Sequence, residues 1–226
     1  AVAVGDPFLY TQDPNVKRIP GSLLIIPNHS LKETNYHYTQ SIKNLLPDNL
    51  SNLRKKFSMI VACIGGFCAL RGNYTKGYED FGVPWVTGAW LNDEYALQRI
   101  RNLFSQFEYV ATDSIGSHIP YAGYCGCKLI YYGKGKNQTK KEFAETPFYQ
   151  NHPHLIDIVI HEQKLETIQK RFPILFNKHS QTEEFKEWSL EVLGTQNQLP
   201  PQDIAELIGW KIRQKKTHSW EYIPGE

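Results

Sequence analysis

The 226-residue chain has almost no net charge and no long apolar run. Twenty-five Lys and Arg residues against 23 Asp and Glu residues leave a net charge of +2, too balanced for binding a nucleic acid through its phosphate backbone. No apolar stretch approaches the roughly 18 residues that a membrane span requires. The N-terminal segment has neither the basic start nor the apolar centre of a signal peptide. It opens at Ala1, on a strand-like run without an initiator Met, so we expect a cut from a longer chain.

Cysteine is scarce, and the spacing of the few cysteines does not suggest a disulfide framework. They are Cys63, Cys68, Cys125 and Cys127. Cys63 ends an apolar run, which predicts a buried free thiol. Cys125 and Cys127 resemble half of a metal clip, but a second pair at zinc spacing is absent, so we predict core or turn packing and no metal site. Without a secretion signal, the chain is expected to be cytoplasmic.

Three motifs that mark common enzyme classes are missing. No G-x-G-x-x-G follows the first apolar run, so the fingerprint of a nicotinamide-binding protein is not met. Neither G-x-x-x-x-G-K-[ST] nor G-x-S-x-G occurs, which excludes P-loop chemistry and an ordinary α/β hydrolase. His152, His154 and His161 stand in a polar tail at no recognised ligand spacing, and we predict that they are surface residues.

The first 133 residues contain a series of short apolar runs. Most show no polar alternation, which fits strands that are covered on both faces, as in a parallel sheet. The gaps between them are long enough for crossover helices. The predicted strands are Val2–Val4, Leu23–Ile26, Met59–Ile64, Val83–Val86, Tyr109–Ala111 and Leu129–Tyr132. They predict an α/β fold: a Rossmann-like open parallel sheet with flanking helices and a helical C-terminal extension.

Apolar periodicity predicts the helices that connect these strands. The clearest is Asn92–Phe107, whose apolar residues form one stripe and whose first residue is a suitable N-cap. A weaker helix is expected over Asn35–Leu45. A short one is expected over Ser117–Tyr124, where Gly126 would end it.

The composition changes after residue 133, where a polar and basic loop begins. We therefore predict a Rossmann-like domain over residues 1–133. Residues 134–226 would form the basic loop and a helical extension that packs on the same domain, with no second sheet. The predicted helices of this extension are Ile156–Arg171, Glu183–Leu193 and Pro201–Arg213.

Open parallel sheets bind ligands at the carboxyl ends of their strands, so the turns that follow the strands are candidate sites. The turn after Tyr109–Ala111 contains Gly116, Ser117 and His118. Backbone N–H groups, a hydroxyl and an imidazole at the start of a helix suit an anion, and a diphosphate is the candidate. The alternative is structural: Ser117 caps the helix and His118 rests on a neighbouring helix.

Three other strand ends carry candidate binding residues. They are His29 and Ser30, Gly65 and Gly66, and Thr87 and Gly88. The first pair either contacts a phosphate or a sugar hydroxyl, or satisfies the loop backbone. The second pair either lets a ligand approach the main chain closely or forms a plain turn. The third pair would line the ligand edge, and Trp90 beside it either stacks on a base or sugar ring or packs against the sheet.

Several segments share features with one enzyme family: a Gly-Ser-His turn followed by a Tyr-Ala helix, a Gly-Cys-Lys turn into the last strand, and an upstream Pro-x-His-Ser. They are Asp93–Arg99, Phe104–Ala122, Gly126–Lys128 and Pro27–Ser30. Together they resemble the donor-binding half of bacterial GT-B glycosyltransferases encoded among surface-polysaccharide genes. The resemblance spans roughly residues 2–133, and Ala205–Trp210 in the tail is also similar.

The resemblance implies a nucleotide-activated sugar as donor substrate, with its phosphate on Gly116–His118 and no cofactor or tightly bound metal. It also implies a glycan or lipid-linked acceptor, and a place in the cytoplasm or at the inner face of the membrane. GT-B enzymes have a second Rossmann domain, which supplies the acceptor site and the general base. One sheet is predicted here, so we expect that domain on a removed N-terminal half or on a partner chain, and no base is assigned.

Two other functions are compatible with these patterns. A sugar-nucleotide 2-epimerase shares the two-domain architecture but needs acidic residues in its cleft, of which the sequence shows no complete set. A non-catalytic Rossmann-like module would bind a partner or a polysaccharide-assembly protein. The aromatic content of 11 Phe, 5 Trp and 13 Tyr favours that module, because it exceeds what one core readily absorbs.

Overall fold

The computed structural model describes residues 1–28, 50–72, 74–90, 92–135, 139–144, 147–176, 180, 183–214 and 220–223. For residues 142, 144, 211–214 and 220–223 it describes the backbone alone. The predicted helix over Asn35–Leu45 lies outside these residues.

A five-stranded sheet forms the centre of the described structure, in the order β3-β2-β1-β4-β5. Its strands are β1 (Ile19–Ile26), β2 (Met59–Ile64), β3 (Trp85–Thr87), β4 (Phe107–Thr112) and β5 (Lys128–Tyr131). Every neighbouring pair is parallel, and Leu24 of β1 lies in register with Val61 of β2 and Val110 of β4. The predicted α/β fold with a Rossmann-like parallel sheet is therefore confirmed.

Helices fill the connections and most of the C-terminal part. They are α1 (Leu50–Lys56), α2 (Gly66–Leu70), α3 (Thr75–Asp80), α4 (Ala96–Gln106), α5 (His118–Tyr124), α6 (Lys140–Ala144), α7 (Pro147–Asn151), α8 (Leu155–Glu162), α9 (Leu165–Arg171), α10 (Glu183–Leu193) and α11 (Pro201–Leu207). Short 3-10 helices occur at Pro7–Tyr10, Pro173–Leu175 and Thr195–Asn197. Among the residues described, none of the helices is both long and apolar enough for a membrane span.

Both faces of the sheet are buried, which explains the uninterrupted apolar runs. Leu23 and Ile25 of β1 lie in a cluster with buried residues of α1, α2 and α3. Leu24 points to the opposite face, into a cluster that Phe104 of α4 shares with residues of α5 and α10. Successive side chains of a strand point to opposite faces, so a strand covered on both sides is apolar at most successive positions.

The connections change face at the centre of the sheet. The segments that lead from β1 through β2 to β3 cover one face, and those that lead from β3 through β4 to β5 cover the other. The winding therefore reverses between the neighbouring strands β1 and β4. The carboxyl ends of two such strands leave a crevice outside the sheet, and open α/β folds bind their ligands there.

The predicted strand over Val2–Val4 is wrong. These residues form no strand, and the side chain of Val2 is 60% exposed. The segment is held at the surface instead, because the Tyr10 hydroxyl donates to the Val4 carbonyl at 2.7 Å and the Asp6 N–H donates to the Leu193 carbonyl at 2.8 Å. The other strands are present, and β2 agrees with its prediction at both ends.

Helix α4 begins later than the prediction. The expected N-cap, Asn92, lies ahead of a turn in which Asp93 Oδ1 accepts from the Tyr95 N–H at 2.9 Å, and the helix starts at Ala96. Phe107, predicted as the end of the helix, is the first residue of β4. Helix α5 agrees with its prediction within one residue, and Gly126 follows it with a positive φ of 75°.

The C-terminal extension contacts the sheet domain where α10 packs on α5. A Cβ at Gly123 of α5 would lie 1.9 Å from Ser189 Oγ of α10, so the two helices meet at a position that only glycine fits. The prediction for Glu183–Leu193 is confirmed as α10. The predicted helix Ile156–Arg171 is interrupted at residues 163–164, between α8 and α9.

The last predicted helix, Pro201–Arg213, is wrong in its second half. Helix α11 ends at Leu207, and Gly209 follows with a positive φ of 72°, a conformation that ends helices. The chain then forms β6 (Lys211–Gln214) and β7 (Trp220–Ile223), an antiparallel pair separate from the main sheet. No second sheet was expected in the extension.

Candidate functional site

Two strand ends meet where the winding reverses. Ile26, the last residue of β1, is paired in register with Thr112, the last residue of β4. Just beyond them, the Asn28 N–H donates to Asp113 Oδ1 at 2.9 Å. The carboxylate of Asp113 thus ties the exit of β1 to the exit of β4, inside the crevice in which a ligand is expected.

The turn after β4 is organised around the hydroxyl of Thr112. This side chain is fully buried, and its Oγ1 lies 2.9 Å from His118 Nε2. The Ser114 N–H donates to the same oxygen at 3.3 Å. The Thr112 hydroxyl also lies 3.4 Å from the Ser114 carbonyl, so it can donate to that carbonyl and accept from Nε2, or donate to Nε2 and leave the imidazole proton on Nδ1.

The imidazole of His118 lies against Gly116. A Cβ at position 116 would be 3.0 Å from His118 Nδ1, so a larger residue there would press on the ring. Gly116 and Ser117 are exposed and His118 is half-buried. The turn therefore presents a bare backbone, a hydroxyl and an oriented imidazole at the sheet edge.

The helix cap of the structural alternative is not formed. Ser117 occupies the N-cap position of α5 with φ −59° and ψ −25°, and its side chain makes no capping hydrogen bond. Its hydroxyl interacts with Tyr121 instead. His118 bonds to the strand end at Thr112.

Two tyrosines lie close to Asp113, and sequence reasoning missed all three residues. The Tyr78 side chain is fully buried, and its hydroxyl has no hydrogen-bond partner in the described part of the chain. Burial, and then the charge of Asp113, raise the pKa of Tyr78 above its ordinary range. The same two causes raise the pKa of Tyr131 to about 12. Both phenols therefore stay protonated beside the carboxylate at neutral pH.

A third tyrosine supports the same crevice from the β1 side. The Tyr74 hydroxyl donates to the carbonyl of Asn28, the residue whose N–H is bonded to Asp113. Tyr74 has a positive φ of 71°, which is strained for an aromatic residue and places its ring in the core beside Tyr78. Asp113 could have been found from its position directly after a buried strand. The tyrosines come from α3, its preceding residue and β5, and carry no local signal.

The glycine pair Gly65–Gly66 lies at the end of β2. A Cβ at Gly66 would be 2.5 Å from the indole of Trp90, so the indole covers this glycine. Trp90 also packs edge-on against Phe67, with ring centroids 5.6 Å apart. Of the two interpretations of Trp90, the structure shows packing, against the start of α2.

Thr87 and Gly88 lie at the end of the edge strand β3. The Arg99 guanidinium donates to the Thr87 carbonyl at 3.1 and 3.2 Å, and the Gly88 N–H donates to the Ile64 carbonyl at 2.9 Å. With strands about 4.8 Å apart, the ends of β2 and β3 lie about 10 and 14 Å from the end of β4. These glycines and Thr87 share the sheet edge with the turn at Gly116–His118 but do not touch it.

His29 and Ser30 lie outside the described residues. The last described residue before them is Asn28, whose N–H donates to Asp113.

Comparison with known proteins shows no family. No family model matches the sequence, and no curated protein matches it either. Two solved structures show a weak likeness. The pneumococcal O-GlcNAc transferase GtfA, in complex with UDP and GlcNAc, is 16% identical with a TM-score of 0.37, over 91% of this chain and 38% of that one. The UDP-GlcNAc 2-epimerase from Neisseria meningitidis, bound to UDP-GlcNAc, is 15% identical with a TM-score of 0.31, over 76% of this chain and 44% of that one. The chain thus spans less than half the length of either.

Proposed function

We propose that this chain binds the nucleotide-activated sugar of a glycosyltransferase, in the crevice between the ends of β1 and β4. The observation that supports this most is the hydrogen bond between Thr112 and His118, which holds an imidazole against the exposed glycine turn at the ligand edge of the sheet. The reaction we assign, sugar transfer, rests on the resemblance of the Gly-Ser-His turn and its surroundings to GT-B donor domains.

The donor's phosphates would lie against Gly116, Ser117 and His118. Glycine at position 116 lets a phosphate approach the backbone, whereas a side chain there would collide with the imidazole. His118 would donate from Nδ1 to a phosphate oxygen, and its protonation would add a positive charge. The Ser117 hydroxyl would supply a second, neutral hydrogen bond.

The same contacts would assist the reaction. In sugar transfer the bond between the anomeric carbon and the phosphate oxygen breaks, and its electron pair remains on the leaving phosphate. A hydrogen-bond donor that is already held beside that oxygen stabilises the developing negative charge, and it need not reorient during the step. Thr112 would act as a positioning residue, because its hydroxyl holds the orientation of the His118 ring.

The acceptor hydroxyl must also lose a proton to a base, and this chain offers no residue that we assign to that role. We propose that a second Rossmann domain supplies it, as the resemblance implies. Residues 1–226 alone are therefore expected to bind nucleotide and to show little or no sugar transfer. Robust multiple-turnover transfer by this chain alone would contradict that part of the proposal.

A non-catalytic binding module is the second candidate, and exposed aromatic residues favour it. Phe67, Tyr95, Phe148 and Trp210 are each at least half exposed. A partner protein that covers them would explain their presence at the surface without any turnover. Such a module would not need to bind a nucleotide.

Thermal unfolding in the presence of nucleotides tests the proposal and separates the two candidates. We expect at least one of UDP, GDP, CMP and dTDP to raise the melting temperature, because a ligand at 100 times its Kd stabilises the folded state by about 2.7 kcal/mol. The matching nucleosides serve as controls and should have little effect. If none of the four nucleotides raises the melting temperature at millimolar concentration, the donor-binding role is wrong and the binding module is favoured.

A further inference from the structure

An apolar cavity lies beside the turn, on the face of the sheet that α5 and α10 cover. Its volume is about 350 Å³, within the range of small-molecule sites. Most of its wall is apolar, and it is built by α5, by the segment after α9 and by α10. The residues that form this wall are Ile119, Phe172, Leu175, Trp188, Val192 and Leu193. Gly116 and Ser117 also border the cavity, so it opens next to the turn.

The side chains of Asp6, Tyr121 and Arg171 at the edge of this cavity each have a bonding partner within the protein. Asp6 Oδ1 accepts from the Phe8 N–H at 2.8 Å and from the Tyr121 hydroxyl at 3.1 Å. The Arg171 guanidinium pairs with the carboxylate of Glu162. A nucleobase or a free sugar in the cavity would have to compete with these bonds, whereas a hydrocarbon chain needs only the apolar wall.

We propose that this cavity binds the hydrocarbon chain of an amphiphilic substrate whose polar end emerges at Gly116 and Ser117. Identification of that substrate as the acceptor rests on the proposed function. The polar end of a lipid-linked acceptor would then emerge beside the donor held at Gly116–His118, and the second domain would hold the acceptor's reacting hydroxyl and supply the base.

Alkyl β-glucosides test the cavity without a phosphate. Butyl, hexyl and octyl glucoside have the same neutral head group, and each is titrated calorimetrically into the full chain below its micelle concentration. Burial of a CH₂ group predicts that the affinity rises by about fourfold for each methylene that enters the cavity. Equal affinity for the three glucosides would overturn the proposal.

Substitutions at the cavity mouth test whether octyl glucoside binds in this cavity. Val192 lines the cavity from α10 and is 53% exposed, so a larger side chain there fills the mouth at little cost to folding. Val192→Trp should weaken octyl glucoside binding by at least tenfold, and Val192→Asp should do the same through its charge. Ile158→Trp is the matched control, because Ile158 is 56% exposed on α8 and does not line the cavity. Retained octyl glucoside binding in both Val192 variants would overturn the proposal.

A site-specific signal completes the test. The indole N–H resonance of Trp188, assigned with Trp188→Phe, should shift on addition of octyl glucoside, and an unmoved resonance would contradict binding in this cavity. His118→Ala should leave octyl glucoside affinity unchanged and lower nucleotide affinity. If the substitution does not change nucleotide affinity, the phosphate role of His118 is wrong and hydrocarbon binding in the cavity is unaffected. If octyl glucoside does not bind the wild type, hydrocarbon binding in the cavity is wrong and the phosphate role of His118 is unaffected.

Discussion

Thr112 Oγ1 and His118 Nε2 lie 2.9 Å apart, across the turn that joins β4 to α5. Because the threonine side chain is fully buried, the imidazole is held by a group that solvent cannot reorient. The orientation of the residue assigned to phosphate is thus set by the last residue of a central strand.

Thr112→Val tests this positioning. Valine keeps the shape of threonine but removes the hydroxyl, so His118 loses the bond that holds the orientation of its ring. We expect nucleoside diphosphate affinity to fall roughly three- to tenfold, the effect of one neutral hydrogen bond. Thr112→Ser keeps the hydroxyl and should bind like the wild type in the same calorimetric titration. A loss in both variants alike would mean that the hydroxyl is not what matters.

Gly123→Ala tests the packing of the C-terminal extension on the sheet domain. The added methyl group would meet Ser189 Oγ at 1.9 Å and Phe185 at 3.0 Å, so α10 must move away from α5. We expect the free energy of unfolding in urea to fall by about 1–3 kcal/mol. Adding Ser189→Ala removes the closest atom and should restore part of the loss. Unchanged stability in Gly123→Ala would show that α10 does not pack here.

The thiols should be unreactive in the folded protein. Burial raises the pKa of Cys63 and of Cys127 to about 12, so almost no thiolate is present at pH 8, and both side chains are shielded from reagents. We expect Ellman's reagent to react rapidly with no more than one thiol in the native state. In guanidinium chloride it should react with all four, which are free cysteines. Fast native reaction of two or more thiols would contradict the burial.

Glu108 should make folding stability depend on pH in the acidic range. The hydrogen bond from Lys128 at 2.9 Å, and then that from the Gly21 N–H, hold the pKa of Glu108 below its ordinary value of 4.5. The unfolded chain therefore takes up the proton first, and the stabilisation is present above about pH 4.5 and is lost as the pH falls through the lower folded pKa.

Glu108→Gln measures that contribution. At pH 7 the free energy of unfolding should fall by less than about 1 kcal/mol, because the ion pair is partly exposed to solvent. The difference between variant and wild type should shrink as the pH falls through the lowered pKa of Glu108, because the wild-type carboxyl then becomes protonated as well. A difference that is the same at pH 7 and at pH 3 would show that it does not come from the charge.

The parallel sheet could be predicted from the sequence because strands buried on both faces are apolar at most successive positions. The predicted and observed bounds of Met59–Ile64 coincide, and its last three residues are buried. Val2–Val4 is also apolar throughout but pairs with no strand, and three apolar residues do not by themselves show whether they pair. The sequence did not predict where α11 ends, because a glycine such as Gly209 can lie within a helix or end it. Its positive φ in the structure shows that it ends this helix.

The candidate site was predictable only in part. Gly116, Ser117 and His118 follow one another in the chain and stand in the turn that follows an apolar run, so a local pattern points to them. The bond from His118 to Thr112 closes a turn whose course no local pattern specifies. Asp113 and Tyr78 are brought together by the order of the strands, which depends on contacts between segments far apart in sequence.

Calorimetric titration of His118→Ala with a nucleoside diphosphate, and with the matching nucleoside, tests the central claim most directly. A hydrogen bond to a charged acceptor contributes about 1.5–3 kcal/mol, so loss of the imidazole should weaken diphosphate binding by roughly ten- to a hundredfold. Binding of the nucleoside should scarcely change, because it has no phosphate to lose a contact. Unchanged diphosphate affinity in a folded His118→Ala protein would contradict the assignment of this turn to phosphate.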